Sequence, residues 1–156
     1  MADLLFYHLE RDPLEAVLPP LLEKSLARGW RCFVRAGSSE RVTALDQVLW
    51  TWRDDSFLPH ATTESAAAAR QPILIGVGGP IANEAAVLFS VDGADVRDAA
   101  DFERAVYLFD GHDPDAVAAA RDVWRWAKAE KGADGAPMLA LTYWQQNPEG
   151  AWQKRG

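Results

Sequence analysis

Residues 104–128, "RAVYLFDGHDPDAVAAARDVWRWAK", hold a strand, a turn and a helix in succession, and their reading decides the fold. "RAVYLFDG" (104–111) is a continuous apolar run of strand length rather than an alternating one. Such a run belongs to a strand covered on both faces. Asp113-Pro114 then opens a helix, with the proline at the first helical position, where its missing N–H is not needed. Around that helix Val117, Ala120 and Val123 form an apolar stripe suited to packing on a sheet.

The same alternation extends in both directions. "LLFYHL" (4–9) reads as a short buried strand, and "PPLLEKSLARG" (19–29) as a helix with Leu21, Leu22 and Leu26 on its apolar face and Gly29 as its stop. "WRCFVRA" (30–36) reads as a strand. Ser38 or Ser39 caps the next helix, "SERVTALDQVLWTW" (39–52), in which Val42, Leu45, Val48 and Leu49 keep helical spacing. A loop of some 20 residues follows, "RDDSFLPHATTESAAAARQP" (53–72). "ILIGV" and "AAVLFSVDG" read as strands joined by the turn-rich "GGPIANEA", and "MLALTYW" (138–144) as a late strand. The last residues, "QQNPEGAWQKRG" (145–156), are polar. Alternating helices and continuous apolar strands predict one α/β domain, a mainly parallel sheet flanked by helices.

Composition narrows the function. The chain has 156 residues, a formal charge of −7, one cysteine and three histidines. The length suits one domain with a full core. No run of about 18 apolar residues occurs, and "MADLLFYHLERD" lacks the basic region of a signal peptide. A cytoplasmic protein without membrane contact is expected. The negative charge argues against nonspecific DNA binding, which needs a basic footprint.

No catalytic constellation emerges. "GVGGP" (76–80) lacks the Gly-Lys-Ser/Thr of a phosphate loop, and a tight turn is the better reading. His8, His60 and His112 show no metal-ligand spacing, so neither a metal nor a cofactor is expected. Cys32 reads as a small buried hydrophobe. No G-x-S-x-G elbow occurs. Asp54-Asp55 can in principle do acid–base work, but on a loop they read as solvated.

Two features carry a binding signal. "LWTWRDDSFLPH" (49–60) places Trp50, Trp52, Phe57 and Pro59 at a helix end and in a loop. They either tuck into the core or form an exposed aromatic patch of the kind that anchors interfaces. On the 114–128 helix, Arg121, Arg125 and Lys128 fall at i, i+4 and i+7 beside Trp124. Only Asp122, three residues before Arg125, offers an intrahelical partner, and like charges at i,i+4 cost about 0.2–0.5 kcal/mol. A self-repelling stripe beside an indole suits an acidic peptide with a hydrophobic end, or a terminal carboxylate. The competing reading is a small α/β hydrolase or nucleotide-binding enzyme on the same scaffold.

Several segments, in order, resemble the chi subunit of bacterial DNA polymerase III. They are "FYHL" (6–9), "PLLEKSLARGWRCFVRA" (20–36), "LDQVLWTW" (45–52), "SFLPH" (56–60), "VLFSVDG" (87–93) and "AARDVWRWAK" (119–128). The resemblance implies a noncatalytic accessory protein of the clamp-loader assembly. Its fold would be Rossmann-like, akin to mononucleotide-binding domains, without a nucleotide site. Residues 1–144 would form the chi-like domain and 145–156 a polar tail. Its partner would be the acidic, phenylalanine-ended C-terminal tail of single-stranded DNA-binding protein. The family's basic positions fall on Arg121 and Arg125 and its aromatic on Trp124. Lys128 is added from helical geometry. A second surface, for a psi subunit or a repair helicase, matches Trp50 and Phe57, with Pro59 and His60 nearby.

Overall fold

A computed structural model describes residues 2–52, 58–78 and 81–155. The chain runs β1 (Ala2–Leu9), α1 (Leu14–Ala27), β2 (Cys32–Arg35), α2 (Ser39–Thr51), β3 (His60–Thr62), β4 (Ile73–Gly76) and β5 (Val87–Ser90). It continues through β6 (Arg104–Asp110), α3 (Pro114–Ala129), β7 (Leu139–Gln146) and β8 (Trp152–Lys154). The strands make one sheet in the order β3-β4-β2-β5-β6-β1-β7-β8, parallel throughout except for the β7–β8 pair. The mainly parallel α/β architecture read from the continuous apolar runs is the one observed.

Burial explains those runs. Every residue of β2, β4 and β5 is buried, as a parallel strand between two helical layers requires. On one face Leu18 and Leu22 of α1 and Leu45 and Leu49 of α2 pack over Val34, Ile75 and Phe89. On the other, Ala120 and Ala127 of α3 join Leu4, Phe6, Phe33 and Tyr107. Ser38 caps α2 by accepting from the Arg41 N–H at 3.2 Å, and Asp113 caps α3 through the Asp115 N–H.

Three segments differ from their sequence reading. The first helix starts at Leu14, so Pro19 and Pro20 lie inside it rather than at its first turn. Val17 and Leu18, both buried, extend the apolar face backward. That burial outweighs the two backbone hydrogen bonds the prolines cannot donate. The expected 20-residue loop contains β3, a three-residue strand too short to leave a periodic signal, and a 3₁₀ turn at Ala68–Arg70. Finally, within the polar C-terminal stretch Gln145 and Gln146 end β7, and Trp152–Lys154 add β8 to the sheet. Gln146 is buried and its Oε1 accepts from the Arg11 and Asp12 N–H groups, while Trp152 stacks on Tyr7 with ring centroids 5.0 Å apart.

Candidate functional site

α3 crosses the sheet on small residues. Ala120 is buried in the cluster that includes Leu4, Phe6 and Leu139, and its short side chain lines a gap beside Tyr143 of β7. The result is a cleft of about 260 Å³ lined by Val117, Ala120, Arg121, Trp124, Arg125 and Tyr143. One wall is the half-buried indole of Trp124, which meets Phe6 edge-on and Tyr143 at a ring distance of 5.8 Å. The other is Tyr143 itself, stacked nearly parallel to Phe6. Two guanidinium groups stand at the rim of an otherwise apolar slot.

The two arginines are not equivalent. Arg125 Nη1 donates to Asp122 Oδ1 at 2.9 Å, but both side chains are about three-quarters exposed. A surface pair of that kind contributes about 0.2–1 kcal/mol and opens readily. Arg121 has no ion-pair partner among the described residues. Its charge nevertheless acts on His8 and Tyr143, disfavouring the imidazolium of the first and favouring the phenolate of the second. The lining ends at Arg125, and Lys128 lies exposed beyond it in the last turn of α3.

Tyr143 and His8 were not singled out as site residues by sequence reasoning. Tyr143 OH lies 2.7 Å from His8 Nδ1. His8 Nε2 lies 3.1 Å from Glu10 Oε1, a charge contact without the alignment of a full hydrogen bond. Gln145 Nε2 donates to the same carboxylate oxygen at 2.7 Å. Burial holds the His8 imidazole below its ordinary pKa, with Glu10 opposing, and burial likewise raises the Tyr143 phenol. The only sequence signal for Tyr143 was its place two residues beyond Leu141 and four beyond Leu139, on one face of a strand.

The aromatic segment divides. Trp50, at the end of α2, is 55% exposed and covers the ring of His60 at 4.8 Å. Trp52 packs against the core, Leu58 is buried and Pro59 is half-buried. His60 is buried, its Nδ1 2.6 Å from Leu58 O and its Nε2 3.1 Å from Asp46 Oδ1. Phe57, with Asp54 and Asp55, lies outside the described residues.

A larger cavity, about 790 Å³, opens at the carboxyl ends of β1 and β6, where open α/β sheets commonly take ligands. Seven carboxylates line it, among them Glu10, Asp92 and Asp110, against Arg11, Arg41 and His112. Arg41 is already engaged by Asp92 at 2.8 Å. A polyphosphate would be repelled there. Among the described residues no cluster of three or more His, Cys, Asp or Glu is arranged to hold a metal ion, and no helix is long and apolar enough to cross a membrane.

The fold and the cleft together define an α/β protein with an apolar slot rimmed by arginine. Residues 1–133 match the family described as DNA polymerase III chi subunit, HolC, and the chain belongs to that family. A stretch of 71 residues is 30% identical to the DNA polymerase III subunit chi of Pseudomonas aeruginosa. That match covers 46% of this chain and 49% of the relative, so the chain spans about half the length of the curated relative it matches.

Proposed function

We propose that the protein is a noncatalytic accessory subunit of the DNA polymerase III clamp-loader assembly, acting in the cytoplasm. It links the replicase to single-stranded DNA-binding protein by holding that protein's acidic C-terminal tail in the α3–β7 cleft. The observation that carries this reading is Arg121, a cation without an ion-pair partner among the described residues, at the rim of an apolar slot walled by Trp124 and Tyr143. The terminal phenylalanine ring enters the slot. Its carboxylate pairs with Arg121, Arg125 opens from Asp122 to meet an upstream acid, and Lys128 extends the positive field along the helix.

Each contact is modest, so an affinity near micromolar, about −8 kcal/mol, is expected. Many tails on coated DNA raise the effective concentration enough for such contacts to tether. A second face, centred on exposed Trp50 over His60 with half-buried Pro59, and expected from the sequence to include Phe57, serves the partner that joins the chain to the clamp loader, a psi subunit or a repair helicase.

The test is a titration of a labelled acidic, phenylalanine-ended peptide against wild type and Arg121→Ala at two salt concentrations. Weaker binding by the variant and a steep salt dependence in wild type are expected. Equal affinities remove the cleft from the mechanism.

A further inference from the structure

We infer that Tyr143 and His8 read the terminal carboxylate of the docked peptide, with Tyr143 donating to it and His8 acting as the positioning residue that supplies the compensating proton. This rests on the docking reading above and adds a group that the helix stripe alone does not provide.

The geometry is a chain of polar atoms running from the cleft into the sheet. Tyr143 lines the slot, and its hydroxyl is 2.7 Å from His8 Nδ1. On the far side His8 Nε2 faces Glu10 Oε1 at 3.1 Å. Gly111 closes the ring in from above, where a Cβ would stand 2.2 Å from His8 Nε2. The imidazole is thus confined between a phenol and a carboxylate.

With His8 neutral, the tautomer with Nε2–H on the Glu10 side, in charge contact short of a full hydrogen bond, leaves Nδ1 to accept the Tyr143 hydroxyl proton. The hydroxyl proton is then turned away from the cleft. If His8 takes a proton from solvent at Nδ1, that N–H donates to the Tyr143 oxygen. The hydroxyl hydrogen is released to rotate outward and donate to an anion in the slot. No bond between heavy atoms changes; one proton leaves a hydronium ion to form the Nδ1–H bond, a water molecule is left in solvent, and the bound carboxylate balances the new charge.

The charges facing His8 favour this coupling. Glu10 and Asp110 stabilise the imidazolium, while His112 and Arg121 oppose it. Burial opposes it most, which keeps His8 neutral in the free protein near pH 7. A carboxylate bound at Arg121 cancels one of the two opposing charges and adds an attractive one. Docking therefore promotes protonation, and by reciprocity protonation promotes docking.

The experiment uses the full chain and a fluorescent peptide of five aspartates ending in phenylalanine, as the free acid and as the C-terminal amide. Affinities are measured at constant ionic strength from about pH 8 to about pH 5.5, above the range where the peptide's own carboxylates titrate. Wild type is expected to tighten on the free acid roughly three- to tenfold as pH falls, since one pKa unit of coupling is tenfold. Tyr143→Phe and His8→Gln lose the slope. The amide shows no slope with any protein. His112→Asn retains it.

An unchanged slope in Tyr143→Phe, or a slope removed by His112→Asn alone, overturns this inference and leaves the docking reading standing. Arg121→Ala binding as tightly as wild type overturns the docking reading instead. No binding to the free acid at any pH overturns both. Tyr143→Phe keeps the ring that packs on Phe6 and Trp124, so its folding is not at issue.

Discussion

Trp124 meets Phe6 edge-on, with ring centroids 5.1 Å apart and planes at 62°. One side of the indole is therefore fastened to the first strand of the sheet while another side walls the cleft. The indole thus both packs against the core cluster and forms part of the cleft wall, and the arginines beside it are exposed.

Trp124→Ala should lower the free energy of unfolding by about 2 kcal/mol, because a half-buried aromatic and its ring contacts are lost. Arg121→Ala should stay within about 0.5 kcal/mol of wild type. Urea denaturation of the two variants checks both, and a stable Trp124→Ala protein would mean that the indole is free of the core.

Gly111 is held where a side chain does not fit. A Cβ there would lie 2.2 Å from His8 Nε2 and 2.8 Å from Leu9 O. Gly111→Ala is expected to destabilise by about 1–3 kcal/mol. Adding His8→Ala should recover part of that loss but not all, since the Leu9 carbonyl remains in the way. A double-mutant cycle by chemical denaturation measures the recovery.

Arg35 is buried, and its guanidinium makes two 2.9 Å hydrogen bonds to Asp98. Those bonds hold the Asp98 carboxyl below the usual carboxylate range, with burial opposing. The stabilisation is present in full above the unfolded carboxylate pKa and is lost as pH falls through the depressed folded value. Asp98→Asn should cost about 1–2 kcal/mol at neutral pH, discounted from a fully buried pair because Asp98 is partly exposed. The gap between variant and wild type should close on acidification, as denaturation curves across pH will show.

Asp122 pairs with Arg125 through an exposed contact of 2.9 Å. Asp122→Asn should strengthen binding of an acidic peptide by about two- to fivefold, the equivalent of a surface pair removed. Stability should scarcely change. A titration showing no gain would place Arg125 outside the ligand's reach.

Cys32 is fully buried, and burial pushes its thiol up to about 12. Iodoacetamide at about pH 8 should label the native protein only at the rate of unfolding, because the thiolate is the nucleophile. Rapid native labelling would contradict the placement of β2 in the core.

Much of the fold was legible along the chain. The Asp113-Pro114 start of α3, the Ser38 cap of α2 and the unbroken apolar strands each depend on neighbours a few residues away. The start of α1 was misread because Pro19 and Pro20 carry a strong local signal, which the buried Val17 and Leu18 overrule only once a sheet is present. β3 is too short for periodicity. In the site, Arg121, Trp124 and Arg125 were visible as a helical face. Tyr143 was not, because it stands 19 residues beyond Trp124 on a strand whose place beside β1 no local pattern specifies.

What the amino-acid order determined by itself is therefore most of the longer elements, the caps of α2 and α3, the burial of the central strands on both faces and the unbalanced cations of α3, since these follow from side chains spaced along one helix or strand. Tertiary structure alone decided which strands are neighbours, that the cleft ends before Lys128, and that His8 holds the phenol of Tyr143. Those depend on contacts between separate elements of the chain, His8 and Tyr143 being 135 positions apart, which only the order of the strands in the sheet brings together.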